Sequence, residues 1–222
     1  EGGNPTLQPE KVLNVEAMMI YKWLNVSIGY KYLKDVMEWT KYIYPGKEFA
    51  YNTSLNFDHK QLLYASVNVS PRFGIFRPTW KINYSQQFFD TEKYGSSKAL
   101  GKPLLSCSLD NHFALSETIG AAMNFYAATS NADGFLMHKS CYSVNLRFYK
   151  SFANRTWIIY LSANDILKTA KERWTMYGLG SGTTKDCYNY TRNVSLQVTY
   201  NFNAKRSKYK GTGAGNEEKS RL

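Results

Sequence analysis

The chain has 222 residues, long enough for one all-β domain, and its 43% apolar content is ordinary for a folded protein. Its net charge of +11 first suggests nucleic acid or an anionic surface. Lys205, Arg206, Lys208 and Lys210 crowd the C-terminal end, however, and the other cations are scattered with no helix to line them into a stripe, which speaks against a nucleic-acid binder. The unusual number is the aromatic share of 16%, made of 18 Tyr, 12 Phe and 5 Trp, and amphipathic rings are what girdles at two membrane interfaces require.

About nine segments alternate apolar and polar side chains with period two. They are expected at 11–20, 23–35, 52–70, 74–89, 104–112, 116–128, 138–150, 154–164 and 190–202. In the second, Leu24, Val26, Ile28, Tyr30 and Tyr32 oppose Asn25, Ser27, Gly29 and Lys31. In the fourth, Phe76, Trp80, Ile82 and Tyr84 point one way and Arg77, Thr79, Lys81, Asn83, Ser85 and Gln87 the other. Pro78 falls among that apolar set, and because it brings no ladder donor a local irregularity is expected there. Val144, Leu146 and Phe148 oppose Asn145 and Arg147, while Trp157, Ile159 and Leu161 continue the apolar band. The last segment sets Arg192, Val194, Leu196, Val198, Tyr200 and Phe202 against Asn193, Ser195, Gln197, Thr199, Asn201 and Asn203.

Two kinds of connector alternate between these segments. Tight ones are expected at 21–22, 71–73, 113–115 and 151–153, and long polar ones at 35–51, 90–103, 129–137 and 165–189. Outer-membrane barrels are wired this way, with short turns on the periplasmic side and long loops outside. Period-two alternation also suits a soluble lipocalin-like barrel with its apolar face inward. The polar residues favour the membrane case, because a water-facing strand surface usually carries Lys and Glu whereas this one carries Asn, Ser, Gln and Thr, as a crowded lumen does. Several segments run ten residues or more, near what a tilted strand needs to cross a bilayer, and the longest fully apolar run, residues 17–21, is far too short for a transmembrane helix.

The expected fold is therefore an all-β, antiparallel, up-and-down transmembrane barrel, of which this chain is the C-terminal fragment. An odd strand set that begins and ends in the same direction cannot close by short turns, so upstream strands are expected, as is an export signal before Glu1. Residues 1–10 are a loop-to-strand lead-in, 11–203 the barrel strands and 204–222 a disordered basic periplasmic tail.

Gly3, Asn4, Pro5, Leu7, Pro9 and Glu10, leading straight into a strand, resemble the Gly-Asn-Pro-x-Leu-x-Pro-Glu signature of TonB-dependent outer-membrane receptors. The stretch from Leu161 through Asn164, Asp165, Ile166 and Leu167, and the last strand ending at Tyr200, Asn201 and Phe202, are similar to segments of the same family. The Gly-x-Gly tail with its Glu-Glu-Lys-x-Arg-Leu ending is similar to the outer membrane protein β-barrel subfamily. The resemblance implies energised uptake of a small nutrient across the outer membrane of a Gram-negative bacterium, through a plug and TonB-box region lying outside this chain. It also implies recognition of Leu196, Val198, Tyr200 and Phe202 by the barrel-insertion machinery. A passive or structural barrel without energy coupling and a soluble β binder are the alternatives.

Other motifs carry less. Cys107, Cys141 and Cys187 lack metal-ligand spacing and are read as free thiols. His59, His112 and His138 fall in three separate segments, and no nucleophile–base pair or cofactor loop emerges, so neither an enzyme nor a bound cofactor is expected. Trp39, Tyr42, Tyr44, Trp174, Tyr177 and Tyr188, with nearby lysines, are expected at the outer rim, where aromatic faces and cations suit glycans or anionic chelates.

Overall fold

The computed structural model describes residues 4–43, 50–178 and 181–202. Thirteen strands form two antiparallel sheets: β1 (Lys11–Tyr21), β2 (Leu24–Tyr42), β3 (Tyr51–Val69), β4 (Phe76–Phe88), β5 (Leu104–Phe113), β6 (Ile119–Ala128), β7 (Asn131–Asp133), β8 (Leu136–His138), β9 (Cys141–Phe152), β10 (Trp157–Asn164), β11 (Glu172–Gly178), β12 (Ser181–Cys187) and β13 (Asn193–Tyr200). The large sheet runs β1-β2-β3-β4-β5-β6-β9-β10-β13, a nine-stranded meander left open at β1 and β13. The four-stranded sheet β12-β11-β8-β7 is built from the long connections. Among the described residues no helix is long and apolar enough to cross a membrane.

Four short connections share one end of the large sheet. Tyr21 pairs with Leu24 across Lys22, whose φ of 52° is left-handed, and the β9–β10 turn carries Ala153, Asn154 and Arg155 at φ 48°, 53° and 67°. The Ser116 hydroxyl accepts from the amides of Thr118 and Ile119 at 3.2 and 3.0 Å and so organises the β5–β6 turn. The turns sit a residue or a few away from the positions expected, since β9 runs on through Ser151 and Phe152 before turning.

Two expectations change. The connection expected at 35–51 is mostly strand, because β2 continues to Tyr42 and pairs with β3 as far as Tyr42↔Tyr51. Pro78 causes no irregularity: β4 keeps one register with β5 on either side of Pro78↔Asn111. Pairing with β3 begins only at Val69↔Trp80, so at Pro78 no β3 ladder exists for the missing N–H to break.

Register then propagates one face across the sheet. Val26, Val67, Ile82 and Cys107 stand in one apolar row, and Ala121, Phe148, Leu161 and Leu196 in another. On the opposite face Ser27, Ser66, Asn83 and Ser106 make one polar row. Two glycines on that polar face are spaces for tyrosine rings. A Cβ on Gly29 would lie 2.2 Å from Cζ of its partner Tyr64, and one on Gly120 would lie 2.3 Å from Cε1 of its partner Tyr149. The rings lie across bare backbone, filling what would otherwise be gaps in the wall.

At Asp35, φ 56°, the alternation reverses. Before it β2 exposes even-numbered Ile28 and buries odd-numbered Ser27; beyond it even-numbered Val36 and Thr40 are buried and Met37 is exposed. The apolar core lies beyond this point, toward the long connections: Val36, Phe57, Phe89, Phe135 and Met176, flanked by Leu33, Trp39, Leu55, Tyr94, Leu136 and Trp174.

Replacing Gly120 with Val should force the Tyr149 ring off the wall and lower stability by about 1–3 kcal/mol, the usual cost of overpacking. Chemical unfolding in detergent measures this, and adding Tyr149→Ala should recover part of the loss.

Candidate functional site

The two faces of the large sheet invert the usual distribution. Trp80 and Ile82 are 36% and 51% exposed and Leu196 and Val198 69% and 54%, whereas Ser27, Ser106 and Ser162 are all under 9%. Phe148, Trp157 and Leu161 are also exposed on the apolar face, with Phe76, Tyr84, Val144, Leu146 and Ile159 half-buried in the same rows. A polar intruder on that face, Asn111, is buried and accepts from the Trp80 indole N–H at 3.0 Å.

The polar face is held by short side-chain hydrogen bonds. Ser27 and Ser66 hydroxyls meet at 2.9 Å, Asn83 donates to Ser106 at 3.2 Å, Asn124 donates to Asp110, and Arg147 Nε donates to Ser162 at 3.3 Å. The Asn145 carbonyl oxygen accepts the Asp165 amide at 2.8 Å, and Asn193 accepts from Asn164 at 3.0 Å. Arg77, Lys81 and Gln197 are exposed. Register sets Arg77 opposite His112 and Lys81 opposite Ser108, and Gln197 opposite Tyr160.

Gln87 differs from the rest of this set. It is buried, and its amide holds Gly134 in both directions: the Gly134 N–H donates to Oε1 at 2.8 Å, and Nε2 donates to the Gly134 and Leu100 carbonyls at 3.2 and 2.6 Å. One side chain thereby ties the β4–β5 connection and the β7–β8 hairpin to the wall. A second tie is Lys60, buried, whose Nζ donates to Glu38 at 2.6 Å and Asp133 at 3.1 Å. Burial works to lower the Lys60 ammonium, but Glu38 and Asp133 together outweigh it and hold it above its ordinary value; burial pushes the Glu38 carboxyl up. Sequence reasoning missed both ties. The Asp133-Gly134 pair is the signal that was available, since Asp-Gly between two short strands favours a tight hairpin and Gly134 does adopt φ 53°.

Two of the aromatic residues expected at the rim pack on each other, beside a separate cluster around Phe57. Trp39 meets Trp174 edge-to-face at 6.0 Å, and Phe57 gathers Phe89, Tyr94 and Phe135 within 5.7 Å. Lys185 covers the Trp174 ring at 6.0 Å and Lys98 the Tyr177 ring at 5.8 Å. Tyr42 ends β2, and Tyr44 lies outside the described residues. Tyr188 donates to Asp165 at 3.2 Å beneath Lys168. Asp165 is buried and also accepts from the Thr169 and Ala170 amides and the Thr191 hydroxyl. Burial acts to raise its carboxyl, and those hydrogen bonds outweigh it and hold the group below the usual carboxylate range. In the lead-in, Asn4 accepts from Thr6, and Asn56 grips the Gln8 backbone at its N–H and its carbonyl, 2.7 and 2.9 Å. The three cysteines are free thiols. The tail at 204–222 lies outside the described residues.

Removing the ammonium with Lys60→Met should leave Glu38 buried without a counter-charge, a loss on the order of 3 kcal/mol, seen as faster proteolysis within residues 129–140. The double substitution Lys60→Met, Glu38→Leu should be milder. The β11–β12 hairpin should also respond to acid. Lys185, Trp174 and Asn189 donate to Glu172 and hold its carboxyl down at about 2. A depressed folded value means the stabilisation is complete above the ordinary carboxylate range and fades as pH falls toward 2. Hydrogen exchange of the β11–β12 amides, corrected for intrinsic rates, should accelerate across that window, and Glu172→Gln should remove the dependence.

No curated protein and no solved structure matches the chain. A family model does, over residues 1–200, and its description is "Outer membrane protein beta-barrel family". Coverage of nearly the whole chain, a nine-stranded antiparallel meander and an exposed apolar face agree with one another, and the chain belongs to that family and to the outer membrane of a Gram-negative bacterium.

Proposed function

We propose that this chain is a stretch of the wall of a TonB-dependent receptor that takes up a nutrient, with its apolar face against lipid and its polar face lining the interior. The observation that carries the reading is the loop cluster folded over the end of the polar face and tied to the wall by Gln87 and Lys60. A freely open pore gains nothing from such a cap, whereas a receptor that captures its ligand outside and admits it in a controlled way needs one.

The open edges fit a share in a larger wall. β1 and β13 run in the same direction, because each strand of a nine-stranded meander reverses the last. Antiparallel closure then needs an odd number of further strands between them, which would cover ladder groups that hydrocarbon cannot satisfy. Leu196, Val198, Tyr200 and Phe202 on or beside the β13 edge, all exposed, form the apolar ridge that the insertion machinery would read. Energy coupling rests on the likeness of the Gly3–Glu10 and Asn164–Leu167 stretches to the receptor family. Ligand contact at the rim would fall to the half-buried Tyr177 and Tyr188 together with the lysines over their rings.

Uptake in the native bacterium decides between this and a passive barrel. Growth on the limiting nutrient should require both this gene and a functional TonB system. Growth that survives loss of TonB but not loss of the barrel would establish passive passage instead.

A further inference from the structure

Some cations of the polar face are paired with carboxylates and others, among the described residues, are not. Glu38 and Asp133 neutralise Lys60 in the loop cluster, and Asp35 lies 3.9 Å from Lys11. Toward the short-turn end the pattern is different. A cavity of about 390 Å³ opens there, lined by Ser70, Arg72, Arg77, Thr79, His112 and Tyr149 among others. Arg77 and His112 are direct cross-strand partners, which sets their Cβ atoms about 5 Å apart on one face. Arg72 reaches the same cavity from the β3–β4 turn. Among the described residues neither arginine nor His112 is in an ion pair within 4 Å. The carboxylate nearest in register, Asp110 opposite Thr79, is already engaged by Asn124 and Ser108.

We propose that this cavity is a subsite for a small oxyanion, a phosphate or carboxylate group of a solute on the polar face. Two arginines lining one concavity bring planar forks of N–H donors to it, the groups suited to bidentate capture of such oxygens. The Thr79 hydroxyl supplies a neutral donor, and the Tyr149 ring, fixed across Gly120, forms a rigid wall. The position gives the subsite a role: the loop ties close the other end of the face, so the anion held here is at the exit side of the path. The inference rests on the uptake reading for that role, and not for the binding chemistry itself.

The test is calorimetric titration of the intact barrel, closed by its further strands, in detergent with inorganic pyrophosphate and, separately, citrate, at constant ionic strength. The wild type should bind at least one of these saturably at one site, pyrophosphate alone indicating phosphate and citrate alone carboxylate. Arg77→Gln should weaken binding by about tenfold or more, as loss of a charged hydrogen bond does, and Arg72→Gln, in a turn outside the ladder, should do likewise without risk to the wall. Lys81→Gln makes the same charge change on the same face about 13 Å along β4 and should alter affinity by less than about twofold. No saturable binding of either anion, or equal weakening by Arg77→Gln and Lys81→Gln, overturns the proposal. TonB-dependent uptake without anion binding would sink the subsite and spare the receptor reading; anion binding in a TonB-independent barrel would do the reverse.

Discussion

Everything in this molecule depends on one continuous antiparallel ladder. In water a sheet can leave its edge groups to the solvent, but in hydrocarbon each unpaired N–H or C=O costs several kcal/mol, so the backbone must be satisfied strand to strand before side chains matter. From β1 to β13 the large sheet does this in sequence order, apart from the two hairpins that leave it and return. Constant register across eight pairings converts a local rule, alternate side chains on alternate faces, into a wall with two different surfaces. Bulky residues such as Ile82 and Leu196 are then exposed together on one face, the placement that an outer-membrane barrel gives its apolar band.

Asp35 marks where one solvent gives way to another. Its left-handed φ reverses the alternation in β2, and Phe57 in β3 turns inward opposite Val36. Beyond that point the same two strands cease to be barrel wall and become half of an ordinary globular core, with Phe135 and Met176 fully buried between them and the loop hairpins. A chain that is inside-out along most of its length thus turns right-side-out at its long-loop end. Water bathes that end, and hydrophobic burial again drives packing there, which it cannot do between strands already immersed in hydrocarbon.

How much of this was legible follows from the same division. All nine strands of the large sheet were visible in the alternation, since a sheet with one apolar and one polar face leaves little freedom of choice at each position. Trp80 and Gln197 fall in the rows that the pattern implies. The loop cluster was not legible. β7, β8, β11 and β12 are three to seven residues long, too short for period two to rise above chance, and their cohesion comes from contacts between segments far apart in the chain. For Trp39 and Trp174 composition shows a ring and a nearby lysine, but not that the two rings meet edge-to-face. Pro78 misled for a similar reason: whether a missing N–H matters depends on where the neighbouring strand ends, and that is a fact about β3.

The fate of the cations follows from where water reaches. Lys60 is sealed beneath the β7–β8 hairpin, and an ammonium there without Glu38 and Asp133 would face the full desolvation cost, so both carboxylates accompany it. Arg72 and Arg77 border an open cavity together with His112, and water reaches both guanidiniums there, so carboxylate partners are unnecessary. A carboxylate across the ladder from Arg77 would cancel one of the cavity's two arginine charges. Register places His112 there instead, so both guanidinium charges stay available at that end of the polar face.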